Sequence, residues 1–227
     1  MTYVLSWNIH PRSESVTLPK AILTLRNEVG SSALAPEVAG LLPTQGDTIS
    51  WLADLPETPE AEQNVCAGVF IGNPHLRKEQ LRKTLSKAGL RWLSNLPSTC
   101  QHDDEFISNL NDVGLGPVRE LETLAAFQND GLDCIAAVGS AADAQLAVRL
   151  GLTRLFVLPK TRQYEGGFPS ELSRNRAVAE IITASGPDTA TVLSLVKESE
   201  VAVSVVWPAQ VAGVIAQTPL EQLKALH

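Results

Sequence analysis

The sequence has few cysteines and no long apolar run. Its three cysteines, Cys66, Cys100 and Cys134, lie far apart and form no CxxC pair, whereas zinc sites and disulfide frameworks use cysteines at short, recurring spacings. No apolar run approaches the ~18 residues of a membrane-spanning helix, and the first residues lack the basic and apolar regions of a signal peptide. These absences predict reduced thiols, no metal site, no membrane association and a cytoplasmic location.

Positive charge and glycine motifs are scarce as well. The chain has 18 Lys and Arg against 25 Asp and Glu, which gives a net charge of −7. Basic residues cluster only in segment 77–87, which we interpret as the solvated face of a helix. Nucleic-acid binding requires a basic stripe, so no nucleic-acid partner is expected. No GxGxxG motif follows the first apolar run, so a dinucleotide-binding fold has no support.

The chain does contain eight short apolar runs, with helical patterns between most of them. The predicted strands are residues 3–9, 21–26, 65–71, 90–96, 132–138, 154–158, 189–195 and 211–216. Unbroken apolar runs such as 65–71 are typical of parallel strands that are buried on both faces. Eight such units in 227 residues predict an α/β fold, a single compact (β/α)8 TIM barrel spanning residues 1–227 with a reduced first helix. A doubly wound open sheet is the alternative.

The segment before the last strand is ambiguous. Residues 201–206 are rich in valine and resemble a strand, but they lie only a few residues before the strand at 211–216. Parallel neighbours need a crossover of about a dozen residues. We therefore predict a helix at 199–207, with an extra antiparallel strand at 201–206 as the alternative.

The segment after the fourth predicted strand carries the densest set of polar residues. It contains Asn95, Ser98 and His102, and Gly116-Pro117 then opens a helix that carries Glu120 in its first turns. A strand that ends in polar residues and leads through a long loop into a helix is the unit from which α/β active sites are built. We expect a functional site here.

Several segments resemble one known family when they are taken in order. They are residues 38–47 (VAGLLPTQGD), 66–69 (CAGV) with Asn73-Pro74, 94–98 (SNLPS), and 106–116 (FISNLNDVGLG) with Glu120 and Glu122. Together with Asn27, they resemble the phosphoenolpyruvate hydrolase-like family, also described as TIM-barrel signal transduction proteins. The resemblance implies a TIM barrel, association into homo-oligomers, and chemistry on a small carboxylated or phosphorylated substrate.

The chain also departs from that family pattern. Relatives carry a glycine-rich turn after the first strand, where this chain has residues 8–12 (NIHPR), and histidines at the ends of strands six and seven, where it has Leu158 and Ser194. The family aspartate after strand three is Asn73. Glycine-rich turns offer backbone amides to anions, and histidine carries protons near neutral pH. The resemblance therefore implies a site with partly lost catalytic groups.

A barrel places its ligand at the carboxyl ends of the strands, and the candidate residues are taken from there. The candidate catalytic residues are Glu120, His75 and Lys160, and the candidate ligand-binding residues are Asn27, Asp47, Asn73, Asn95 and Ser98. Four of them have a plainer interpretation: Asn95 caps its own loop, Glu120 interacts with a helix dipole or makes a salt contact on the side of Arg119, and His75 and Lys160 are solvated loop residues. Whether a cofactor is used is unknown from the sequence.

Three functions remain open at this point. The first is a hydrolase or lyase that acts on a small oxo-acid, with an acid or base among Glu120, His75 and Lys160. The second is a barrel without catalysis that binds a small carboxylate or phosphate ligand or a protein partner. The third is a structural component of a homo-oligomer. The missing histidines and glycines favour the second.

Overall fold

The computed structural model describes residues 4–25, 48–53, 64–186, 188–201 and 210–217. Eight strands are hydrogen-bonded in chain order around a closed barrel. The strands are β1 Val4–Pro11, β2 Ala21–Leu25, β3 Val65–Gly68, β4 Trp92–Ser94, β5 Asp133–Val138, β6 Arg154–Val157, β7 Thr191–Val196 and β8 Val211–Gln217. All eight predicted strands are confirmed in position, and the open-sheet alternative is wrong because the sheet closes on itself.

Helices lie in every connection between parallel strands. They are α1 Thr48–Ala53, α2 Lys78–Lys87, α3 Asp104–Asp112, α4 Pro117–Asn129, α5 Ala141–Arg149, α6 Glu171–Ser185 and α7 Glu198–Val201. Short 3-10 turns at Thr99–Gln101 and Thr161–Tyr164 precede α3 and α6. Local sequence sets the helix starts: Pro117 occupies the first position of α4, and the Ser140 and Ser170 side chains cap α5 and α6. The fold is a mixed α/β structure built on a closed eight-stranded barrel.

The prediction of eight parallel strands is wrong for β1. Strands β2 to β8 pair in parallel, but β1 is antiparallel to both of its neighbours, β2 and β8. The cause is the connection at residues 12–20, which is fully described and contains no helix. A parallel crossover needs about a dozen residues or more, so this link can only return the chain as a hairpin. The first helix is therefore absent rather than reduced.

The strands define two ends of the barrel. We call the end at which β2 to β8 terminate the upper rim. Because β1 runs the other way, Val4 lies at the upper rim opposite Leu25, and Pro11 lies at the lower rim opposite Gly213. Polar residues that follow β3, β4, β6 and β7 therefore all belong to the upper rim.

The barrel interior is filled by large apolar side chains. One cluster of buried residues takes members from all eight strands, including Trp7, Ile22, Trp92 and Phe156. The Trp7 and Phe156 rings meet edge to face with centroids 6.4 Å apart, and Trp7 Nε1 donates to Thr24 Oγ1 at 3.0 Å. Interior side chains of a barrel this size fill it and leave no channel. The described strands enclose a packed core and not a pore.

A second core lies between the strands and the surrounding helices. It takes Leu81 and Leu85 from α2, Leu121 and Leu124 from α4, and further residues from α5 and α6. Helix α3 contributes no buried residue, and its Phe106 side chain is 46% exposed. Helix α3 is thus an attachment to the upper rim and lies outside the packed layer. Among the described residues, no helix is long and apolar enough to cross a bilayer.

The structure settles only part of the ambiguous segment. Helix α7 ends at Val201, so the predicted helix at 199–207 is confirmed for residues 199–201. The remainder of that helix, and most of the alternative strand at 201–206, lie outside the described residues.

Candidate functional site

Glu120 lies at the centre of a buried hydrogen-bond network. The first turn of α4 directs its carboxylate inward, and the residue is 0% exposed. Glu120 Oε1 accepts from the backbone N of Thr99 at 3.0 Å and from Thr99 Oγ1 at 2.9 Å. Glu120 Oε2 accepts from Ser98 Oγ at 2.5 Å and from Asn95 Nδ2 at 3.1 Å. Four donors from the segment after β4 therefore surround one carboxylate. We call Asn95, Ser98, Thr99 and Glu120 the buried network.

Asn95 connects the buried network to the next strand. Its Nδ2 donates to the carbonyl oxygen of Ala137 at 3.2 Å, and its Oδ1 accepts from the Ala137 N at 2.7 Å. These two bonds continue the pairing of β4 with β5 beyond Ser94, where β4 itself ends. The side chain thus satisfies backbone groups of β5 that would otherwise be buried without partners. Asn95, Ser98 and Glu120, which the sequence analysis names as candidate site residues, are thus direct hydrogen-bond neighbours.

The electrostatics of Glu120 combine two opposing effects. Removal from water raises the pKa of the Glu120 carboxyl above its ordinary value, and hydrogen bonds from Ser98, Thr99 and Asn95 offset part of that rise. The group is therefore easier to protonate than a solvated glutamate. Its oxygens face protein donors, so its clearest role is to hold the loop after β4 against α4.

Sequence reasoning missed two residues that complete this arrangement. Thr99 supplies two of the four donors to Glu120, and its only signal was its position in a polar loop beside Ser98. Gly72 follows β3, and a Cβ added there would lie 2.9 Å from Glu120 Oε1. The site thus needs glycine at position 72, because the loop after β3 passes against the carboxylate.

Lys160 brings a positive charge to the upper rim. Its side chain is only 12% exposed, and its Nζ lies 3.3 Å from Oδ1 of Asp104, a residue that is 79% exposed. Its backbone N donates to Gln163 Oε1 at 2.8 Å. Burial is the main cause that lowers the pKa of the nearby His102; the charge of Asp103 raises this pKa to a smaller extent, and the charge of Lys160 lowers it to the smallest extent of the three. Lys160 therefore lies over the loop that the buried network holds.

The other predicted site residues lie elsewhere. Asn73 and His75 share an exposed turn before α2, where Asn73 Oδ1 accepts from the His75 N at 2.9 Å. They take no part in the hydrogen bonds of the buried network. Asn27 and Asp47 lie outside the described residues, and so does the family-like segment 38–47.

The cysteines and acids offer no metal site in the described part of the chain. No group of three or more His, Cys, Asp or Glu side chains there is close enough to hold an ion. All three cysteines are free and buried. Burial raises the pKa of Cys134 to about 12 and raises those of Cys66 and Cys100 well above their ordinary values. The thiols are consequently poor nucleophiles and poor ligands.

No model of a known protein family matches the chain. The chain is similar to the uncharacterized protein y4oT of Sinorhizobium fredii, with 33% identity over 115 residues. That match covers 51% of this chain and 59% of the other protein, so the chain spans less than two thirds of that relative's length.

Proposed function

We propose that this chain is a divergent, single-domain member of the phosphoenolpyruvate hydrolase-like family that binds a small carboxylated or phosphorylated ligand at its upper rim. In this proposal the barrel derives from a TIM barrel. The helix in each connection from β2 to β8 supports that origin, while the hairpin between β1 and β2 is a departure from it. The family resemblance supplies the ligand class.

The observation that carries the proposal is the placement of Lys160. A cation that is 12% exposed, at the carboxyl end of β6, acts in a medium of lower effective dielectric than bulk water and so attracts an anion more strongly. Its partner Asp104 is an exposed surface carboxylate, and such ion pairs are weak. A ligand anion can therefore replace Asp104 at small cost.

The buried network supports binding by making the rim rigid before the ligand arrives. Glu120 fixes Asn95, Ser98 and Thr99, so the loop after β4 loses little further freedom when a ligand binds. The same saturation favours a binding role over catalysis. A general acid or base has to reach its substrate, and both Glu120 oxygens already accept two bonds in a fully buried position.

A hydrolase or lyase that acts on a small oxo-acid is the second candidate. The raised pKa of Glu120 favours it, because perturbed carboxyl groups concentrate at active sites. Catalysis by Glu120, His75 or Lys160 stays a prediction, as do homo-oligomer formation and a protein partner.

The test is a thermal-shift and calorimetric titration with pyruvate, phosphoenolpyruvate and inorganic phosphate. A ligand at a hundred times its Kd stabilises a protein by about 2.7 kcal/mol, so binding should be clear. Lys160→Met should weaken it. Lys87→Met is the matched control, because Lys87 is an exposed lysine in the last turn of α2. Equal binding by Lys160→Met would contradict the placement at Lys160, and no shift with any compound would contradict ligand binding itself.

A further inference from the structure

A second polar feature of the upper rim lies between β6, β7 and α6. A small cavity there has room for about one water-sized atom. Its polar lining comes from Gln163, Ser173, Arg174 and Ser194, and Pro159 and Leu195 also line it. None of these residues was predicted as a site residue, although Ser194 stands where the resembled family carries a histidine.

Two buried polar groups in this lining have no hydrogen-bond partner within the described residues. Arg174 is 3% exposed, and its terminal nitrogens donate to the Pro169 carbonyl oxygen and, at 2.7 Å, to Glu200 Oε2, but its Nε has no partner. Ser194 is 0% exposed, and its Oγ has no partner either. Buried polar groups are nearly always hydrogen-bonded. Two such groups on one cavity therefore indicate a missing acceptor.

The rest of the lining also suits an acceptor. Ser173 lies in the first turn of α6, where the helix dipole favours negative charge. Its Oγ accepts from Gln163 Nε2 at 3.0 Å, so its own hydrogen is directed elsewhere and can serve as a further donor. Arg174 already forms an ion pair with Glu200, with 2.7 Å between Arg174 Nη2 and Glu200 Oε2. Recognition here therefore depends on converging hydrogen-bond donors more than on net charge.

We infer that this cavity takes one oxygen of a carboxylate or phosphate group, and that this oxygen accepts hydrogen bonds from Arg174 Nε and Ser194 Oγ. The remaining atoms of the group lie outside the cavity. The inference rests on the proposed function for the class of ligand but places a second contact, separate from the Lys160 side chain. Gln163 joins the two places, because it bonds both Ser173 and the Lys160 backbone N. A ligand oxygen in the cavity would thus also fix the loop that positions Lys160.

The experiment measures acetate and inorganic phosphate binding by calorimetry in the wild type and in two variants of the cavity. Ser194→Ala removes the hydroxyl donor, and Ser194→Val also fills the space. Ser94→Ala is the matched control, because Ser94 is likewise 0% exposed and its Oγ has no partner in the described part of the chain, but it does not line the cavity. We expect a loss of about tenfold or more in affinity from either Ser194 variant, the size typical of one hydrogen bond to a charged group. Ser94→Ala should bind like the wild type.

The outcomes separate this inference from the proposed function. If Lys160→Met weakens binding and both Ser194 variants bind like the wild type, the cavity contact is refuted and the proposed function stands. If only the Ser194 variants weaken binding, the cavity contact stands and the placement at Lys160 fails. If the wild type binds neither acetate nor phosphate, the cavity contact is refuted and the cavity holds only water, while the proposed function fails only if pyruvate and phosphoenolpyruvate also give no thermal shift. Should Ser194→Val not fold, Ser194→Ala alone decides.

Discussion

Replacement of Glu120 by glutamine should destabilise the fold, although it hardly changes the volume of the side chain. The glutamine oxygen can still accept both bonds from Thr99, one from its backbone N and one from its Oγ1. The amide nitrogen then faces Ser98 and Asn95. Ser98 Oγ already accepts from Asn95 Nδ2 and from Cys100 N, and Asn95 Nδ2 is itself a donor, so the new amide hydrogen finds no free acceptor there. One disrupted donor in a buried network costs about 1–3 kcal/mol, and this is the loss we expect.

The same variant should change how stability depends on pH. Burial raises the pKa of Glu120 in the folded protein above its value in the unfolded chain. The stability that Glu120 contributes is therefore complete below the unfolded-state pKa and decreases as pH rises through the folded-state pKa. Glutamine cannot titrate. The stability difference between the wild type and Glu120→Gln should thus be largest at acidic pH and become smaller as pH rises through that window.

Urea denaturation at a series of pH values measures both effects. Glu122→Gln is the matched control, because Glu122 is an exposed glutamate in the same helix. The control should stay within ~0.5 kcal/mol of the wild type, as surface substitutions usually do. If Glu120→Gln is as stable as Glu122→Gln at every pH, the buried network does not hold the rim as described.

Three further predictions concern the same rim. Gly72→Ala should cost about 1–3 kcal/mol in urea denaturation, because its Cβ would lie 2.9 Å from Glu120 Oε1; unchanged stability would show that the loop after β3 moves freely. Lys160→Met should raise the pKa of His102 in an NMR titration, because the charge of Lys160 lowers it, whereas Lys87→Met should leave it unchanged. Amide hydrogens of α3 should exchange faster than those of α4, because α3 has no buried residue; equal protection would mean that α3 is anchored by contacts other than packing.

The strands were predictable because their apolar runs are short, well separated and rich in β-branched residues or leucine. The antiparallel direction of β1 was also predictable. Segment 12–20 is too short for a parallel crossover, which is the same argument that applies to residues 201–211. The pattern of β1 was a second signal, because buried Leu5, Trp7 and Ile9 alternate with partly exposed residues, which is typical of an antiparallel strand that has one face towards solvent.

The site was predictable only where its residues are close in sequence. Asn95 and Ser98 belong to one polar loop, and Glu120 opens the next helix, so their meeting follows from one strand-loop-helix unit. Gly72 and Arg174 reach their sites by tertiary packing. A glycine that leaves room for a carboxylate from a distant helix, or an arginine whose Nε has no partner among the described residues, cannot be recognised from the residues that flank it in sequence.

The reversed first strand also affects how the ring is completed. Strand β1 forms a local hairpin with β2, but its other edge pairs with β8 through Trp7 to Pro11, opposite Gly213 to Gln217. We call this pairing of β1 with β8 the antiparallel seam. It joins residues about as distant in sequence as the fold allows, and pairings of that kind form slowly. Until they form, β1 and β8 each expose an unpaired edge, which is the usual template for pairing between chains. The antiparallel seam is thus where we expect an incompletely folded molecule to aggregate first.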